Sequence, residues 1–87
     1  MVYELRLTPG AGKQLYRLQK EEQKRIIAKL EWFVSQTNPL IFARKIHDVE
    51  AGDYRFRVGD YHIIFVVEKN GELFTVTSIG HRRDIYR

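Results

Sequence analysis

The sequence predicts an α+β fold: an N-terminal strand, a two-helix hairpin, then a three- to four-stranded antiparallel sheet. Three observations carry this. Apolar and charged side chains alternate through Tyr54–Val58, and Tyr61, Ile63 and Phe65 recur at every second position after it; a period of two sends successive side chains to opposite faces of a sheet. Between these runs Gly59-Asp60 offers a two-residue hairpin loop, and Asn70-Gly71 offers another further on. Ile26, Leu30 and Phe33, joined by Ile27 and Val34, recur at the i, i+4, i+7 spacing of one helix face.

Tyr3–Leu7 alternates and reads as the first strand. Thr8-Pro9 suits a helix start, because Thr caps well and the missing proline N–H would be unpaired at the first helical position anyway. Leu15 and Leu18 mark a short helix to about Lys20. A second helix follows from about Glu21 to Gln36, with Glu21 and Glu22 at the positive end of its dipole. Asn38-Pro39 stops it, since the residue before proline avoids the helical region. Trp32 falls on the face away from Ile26, Leu30 and Phe33. It either packs on the first helix or stands exposed as an anchor for a partner. Leu40 to Ala51 is less patterned: Lys45-Ile46 is a brief strand candidate, His47 a loop histidine, and Ala51-Gly52-Asp53 a turn into the hairpin.

Hairpin loops this short set the register, so pairs can be counted outward. From Gly59-Asp60, Val58 faces Tyr61, Phe56 faces Ile63 and Tyr54 faces Phe65, forming a core face. On the other face Arg57 meets His62 and Arg55 meets Ile64. From Asn70-Gly71, Phe74, Val76 and Ser78 meet Val67, Phe65 and Ile63 on that core face. Thr75, Thr77 and Ile79 meet Val66, Ile64 and His62. On this count Gly80 leaves the sheet beside His62 and delivers the tail His81–Arg87 to that end.

Eighty-seven residues are expected to form one domain, 1–87, with a thin stability margin. There is no cysteine, hence no disulfide framework and no thiolate zinc site. No apolar run approaches a membrane span and no signal peptide is visible, which makes a cytoplasmic location the expectation. A net charge of +4 and a pI near 9.6 favour polyanionic partners only weakly, unless folding gathers the arginines into a patch.

The register does gather them. Arg55, Arg57, His62, His81, Arg82, Arg83 and Tyr86 are expected at one end of the open sheet face. No paired carboxylates accompany them, so metal-dependent phosphodiester chemistry has no support in the pattern, and no cofactor is called for. The set suits a phosphodiester without metal. Guanidinium groups match phosphate oxygens, a tyrosine ring stacks on a base, and a histidine moves protons near neutrality. RNA brings its own nucleophile, the 2′-hydroxyl. Arginine is a poor base, so its part is charge stabilisation. A solvated face is the plainer alternative for Arg57 and His62, and packing under the tail is the plainer alternative for His81.

Residues 54–61 (Tyr-Arg-Phe-Arg-Val-Gly-Asp-Tyr) and 80–87 (Gly-His-Arg-Arg-Asp-Ile-Tyr-Arg), in this order of elements, resemble the RelE/ParE superfamily of type II toxins. The likeness is to the RelE-like branch and covers essentially the whole chain. It implies a RelE-like microbial RNase fold and a ribosome-dependent mRNA endoribonuclease. Its products would be a 2′,3′-cyclic phosphate and a 5′-hydroxyl, and a small, acidic cognate antitoxin would restrain it. By that likeness Arg55 and Arg57 bind RNA or help take the proton, Arg82 steadies the scissile phosphate and Tyr86 stacks on the nucleotide. Lys45, Arg83 and Arg87 are further cations expected to meet RNA.

The chain also departs from the pattern. His62 stands where many relatives have an arginine, and Phe65 where a tyrosine is common. With arginine at both hairpin positions, His62 or His81 is left as the acid–base candidate, His62 preferred for its place opposite Arg57. Two other classes fit the fold: a ParE-like toxin that poisons gyrase, and a weakened toxin acting only as an interaction module. Ile64, Val66 and Ile79 on the open face are expected to be covered by an antitoxin helix or added strand.

Overall fold

The computed structural model describes residues 3–48 and 52–85. Strand β1 (Glu4–Leu7) leads into helix α1 (Pro9–Tyr16), whose N-cap is Thr8: its hydroxyl accepts the Ala11 N–H at 3.1 Å. The first helix stops at Tyr16 rather than near Lys20. The Gln23 side-chain amide donates to the Leu18 and Tyr16 carbonyls at 2.7 and 3.2 Å, satisfying acceptors in the inter-helix turn. Helix α2 (Lys20–Ser35) buries Ile26, Leu30 and Phe33 as its spacing predicts, whereas Ile27, expected on the same face, is 41% exposed.

Trp32 does not pack on α1. Its indole meets Phe42 edge-on at 5.0 Å, in the single helical turn Pro39–Phe42, and stays 42% exposed. Beyond that turn the less patterned stretch forms a strand, β2 (Arg44–Asp48), so His47 belongs to a strand and not to a loop. Ala51, expected in the turn into the hairpin, lies outside the described residues.

Strands β3 (Gly52–Val58), β4 (Tyr61–Glu68) and β5 (Leu73–His81) complete one five-stranded sheet of order β1-β5-β4-β3-β2. The α+β architecture holds, with two strands joining the antiparallel core: β1 runs parallel to β5, and β2 runs antiparallel to β3. A short helix, α3 (Arg82–Ile85), follows. The β3–β4 register is the one counted from Gly59-Asp60, all five pairs included. At the second loop Glu72 donates to the Lys69 carbonyl across Asn70 and Gly71, both at positive φ.

The β4–β5 ladder follows the expected pairs only to Phe65–Val76. There Thr77 is an extra residue, and the pairs become Ile64–Ser78, Ile63–Ile79, His62–Gly80 and Tyr61–His81. A tight turn dictates only the pairs between itself and the first bulge. Ile79 therefore turns to the core face, where it is 2% exposed, and Gly80 stays in the strand instead of leaving it.

The core lies between the two long helices and this face. Its centre is an aromatic ladder: Phe33 stacks on Phe56 at 4.1 Å, Phe56 on Phe65 at 4.3 Å, and Phe65 on Phe74 at 5.4 Å. Such offset stacks add to burial, and they hold β3, β4 and β5 as one plate on which the opposite face is displayed. On that opposite face Ile64 and Leu73 are also buried, at 3% and 5% exposed. Ile64 is thus already covered within the chain, and of the three residues expected to need an external cover only Val66 remains partly exposed on this face.

Candidate active site

The sheet face away from the helices carries Arg55, Arg57 and His62, with Arg57 directly opposite His62. On the neighbouring strand Arg44 pairs with Arg55, whereas Lys45 pairs with Tyr54 on the other face. The fold therefore adds Arg44 to the cluster and leaves out Lys45. The sequence at 49–51 carries no two-residue hairpin signal such as Asn-Gly, so the β2–β3 register, and with it Arg44, cannot be counted from a loop. Like charges opposite each other cost a sheet roughly 0.2–1 kcal/mol, so an Arg44–Arg55 pair is not there for stability.

His62 is the buried member, 6% exposed, while Arg44, Arg57 and Arg82 are exposed around it. Its pKa lies below the ordinary 6.5, first because of burial and then because of Arg55, Arg57, Arg82 and His81. The imidazole is consequently neutral at pH 7 and able to accept a proton. A phosphate bound among the guanidiniums would offset their charge and raise its basicity.

Two hydrogen bonds from backbone N–H groups fix the start of the tail. Arg82 N–H donates to the Asp60 carbonyl in the β3–β4 turn at 2.9 Å, and Arg83 N–H donates to His81 Nδ1 at 3.2 Å. Arg82 is thus held at the end of the sheet where His62 and Arg57 sit. His81 is a correction to the expected cluster. The bulge turns it to the helix-bearing face, where its ring meets Tyr61 edge-on at 5.7 Å. Arg83 is exposed; Tyr86 and Arg87 lie outside the described residues.

The arrangement is a neutral imidazole under the charges of Arg55, Arg57 and Arg82, with Arg44 next to Arg55 on the same face. It can bind a phosphodiester, stabilise added negative charge and accept one proton. Among the described residues no three His, Asp or Glu side chains converge as a metal site, and no helix is long and apolar enough to cross a membrane.

Residues 5–86 match the family model described as the ParE toxin of the type II toxin–antitoxin system, parDE. The chain belongs to this toxin family. Among solved structures, the toxin resembles a chain of the RelBE2 toxin–antitoxin complex from Mycobacterium tuberculosis, with TM-score 0.69 and 22% identity over 94% of this chain and 100% of that one. It also resembles a chain of the archaeal RelE–RelB complex from Pyrococcus horikoshii OT3, with TM-score 0.73 and 22% identity over 97% and 99%. No curated protein matches it. The toxin is a type II toxin of the RelE/ParE superfamily and has the RelE-like fold.

Proposed function

We propose that this toxin is a metal-independent, ribosome-dependent mRNA endoribonuclease that inhibits translation. The observation that carries the reading is the guanidinium cluster around one neutral, buried imidazole. Neutral His62 takes the proton of a ribose 2′-hydroxyl as its oxygen attacks the adjacent phosphorus. Arg44, Arg55, Arg57 and Arg82 hold the phosphate and stabilise the charge gathered on its oxygens. The bond from phosphorus to the 5′-oxygen breaks, that oxygen takes a proton from water, and the imidazolium of His62 returns its proton to the hydroxide so formed. A 2′,3′-cyclic phosphate and a 5′-hydroxyl remain. Tyr86 stacks on the nucleotide, with Arg83 and Arg87 on the flanking backbone.

The reading supplies partners: mRNA and the ribosome in the cytoplasm, and a cognate antitoxin. Both similar structures are toxin–antitoxin complexes, which supports the last. A second reading, a gyrase-poisoning toxin, is favoured by the ParE description of the family model. Incubation with a programmed ribosome, alongside gyrase and supercoiled DNA, separates the two. Cuts in the decoding-site codon are expected. Trapped DNA breaks with intact mRNA would replace the nuclease reading by the gyrase one.

A further inference from the structure

A groove of about 460 Å³ opens on the other side of the β3–β4 turn, between that turn and α2. Arg25, Lys29, Trp32, Arg57 and Gly59 line it, and among the described residues no carboxylate does. The neighbouring groove of about 470 Å³ differs, for Glu22 and Asp60 share its wall. Trp32, the sole tryptophan of the chain, is 42% exposed here, and the Lys29 ammonium sits 4.3 Å from its ring centroid.

Arg57 joins this groove to the arginine cluster. It arises from the open face opposite His62, yet its Nε donates to the Gly59 carbonyl at 3.3 Å, so the side chain bends around the hairpin tip. From the other side the Arg25 guanidinium lies over Gly59, so close that a Cβ there would stand 2.9 Å from its nitrogens. The tip is thus wrapped by two cations, one shared with the cluster.

We propose that this groove binds single-stranded RNA: a base stacks on Trp32, and the adjoining phosphates meet Arg25 and Lys29. The inference rests on the reading that the toxin acts on RNA, and it extends the substrate path around the hairpin tip. An exposed cation–π contact is weaker than base stacking on an aromatic ring, so a base displaces the Lys29 ammonium and frees it for a phosphate. The cationic lining matches an RNA strand and repels a basic segment.

The test uses the purified toxin and a dye-labelled nine-nucleotide 2′-O-methyl RNA, which lacks the nucleophile. Binding should quench Trp32 fluorescence and raise the dye's anisotropy. By anisotropy, Trp32→Leu should weaken binding about 10-fold, with Trp32→Phe recovering most of it. Lys29→Gln and Arg25→Gln, both at exposed positions, should each lower the salt slope of binding by about 0.7. On programmed ribosomes Trp32→Leu should still cut, with a higher KM.

Unchanged affinity and salt slopes in all these variants would overturn the groove while leaving the nuclease reading in place. Quenching by RNA from a toxin that cuts nothing would support the groove and sink the nuclease. Quenching by a poly-Glu decamer but not by RNA would overturn the proposal in favour of an acidic protein segment.

Discussion

Gln14 of α1 accepts a hydrogen bond from the backbone N–H of Ile79 in β5 at 2.7 Å, a contact between residues 65 positions apart. It lies just past the bulge at Thr77, whose hydroxyl donates to the Ile64 carbonyl at 3.3 Å. The two side chains supply bonds that an irregular ladder would otherwise lack. Everything beyond the bulge, including the His62–Gly80 pairing and the exit to Arg82, depends on that one-residue shift.

Gln14→Leu should therefore destabilise the fold by roughly 1–3 kcal/mol, the cost of a buried N–H left unpaired. It should also lower cleavage by more than the unfolded fraction explains, because the tail loses its register. Gln14→Glu keeps the acceptor and should recover most of both. Urea unfolding and ribosome cleavage on the three proteins decide this, and equal stability of the Leu variant and the wild type would refute it.

His62 gives a signed pH dependence. Its pKa is below 6.5 in the folded chain, from burial first and neighbouring cations second. Between 6.5 and that lower value the unfolded chain holds the proton more often, so stability falls as pH drops through this window. His62→Gln should flatten the window in unfolding curves recorded from pH 7.5 to 5. If His62 is the base, the variant should also lose about 10²-fold in cleavage. The wild-type kcat/KM should then hold to below pH 6.5 before falling. Undiminished cutting by the variant would remove His62 from the mechanism.

Arg44 offers effects of opposite sign. Removing it relieves the like-charge pair with Arg55, so Arg44→Gln should raise stability by roughly 0.2–1 kcal/mol. The same change should weaken cleavage about 10-fold by removing a charge-assisted phosphate contact. Lys45→Gln, on the other face, should change cleavage far less. Equal losses from both variants would mean that the strand register does not select the phosphate ligands.

What was legible in the sequence follows from the range of each signal. Gly59-Asp60 dictates its hairpin directly, so Arg57 opposite His62 was readable to the residue. Beyond Phe65–Val76 the register shifts at Thr77, next to the hydrogen bond that Gln14 accepts. Gln14 is distant in sequence and carries no mark in the β5 pattern, so a count from Asn70-Gly71 does not give the face of His81. Arg44 is hidden for a related reason: the sequence at 49–51 carries no two-residue hairpin signal, so nothing local tells which of two adjacent cations shares a face with Arg55. The core was readable because Phe33, Phe56, Phe65 and Phe74 each obey the period of their own element. Short-range chemistry located the site, and long-range contacts chose its members.

Gly59 and Gly71 separate backbone strain from groove geometry. Both hold positive φ, +59° and +92°, so alanine is strained at either place by roughly 1–2 kcal/mol. Around Gly71 nothing lies within 4 Å of an added Cβ, whereas at Gly59 that Cβ meets the Arg25 guanidinium. The guanidinium is the far end of a flexible side chain and swings away at little energetic cost, but it then leaves the hairpin tip. Gly59→Ala and Gly71→Ala should thus show comparable losses in urea unfolding. Only Gly59→Ala should reduce RNA affinity, and combining it with Arg25→Gln should add little further loss, since both act on the same cation. Full additivity of those two changes would show that Arg25 does not act from its place over Gly59.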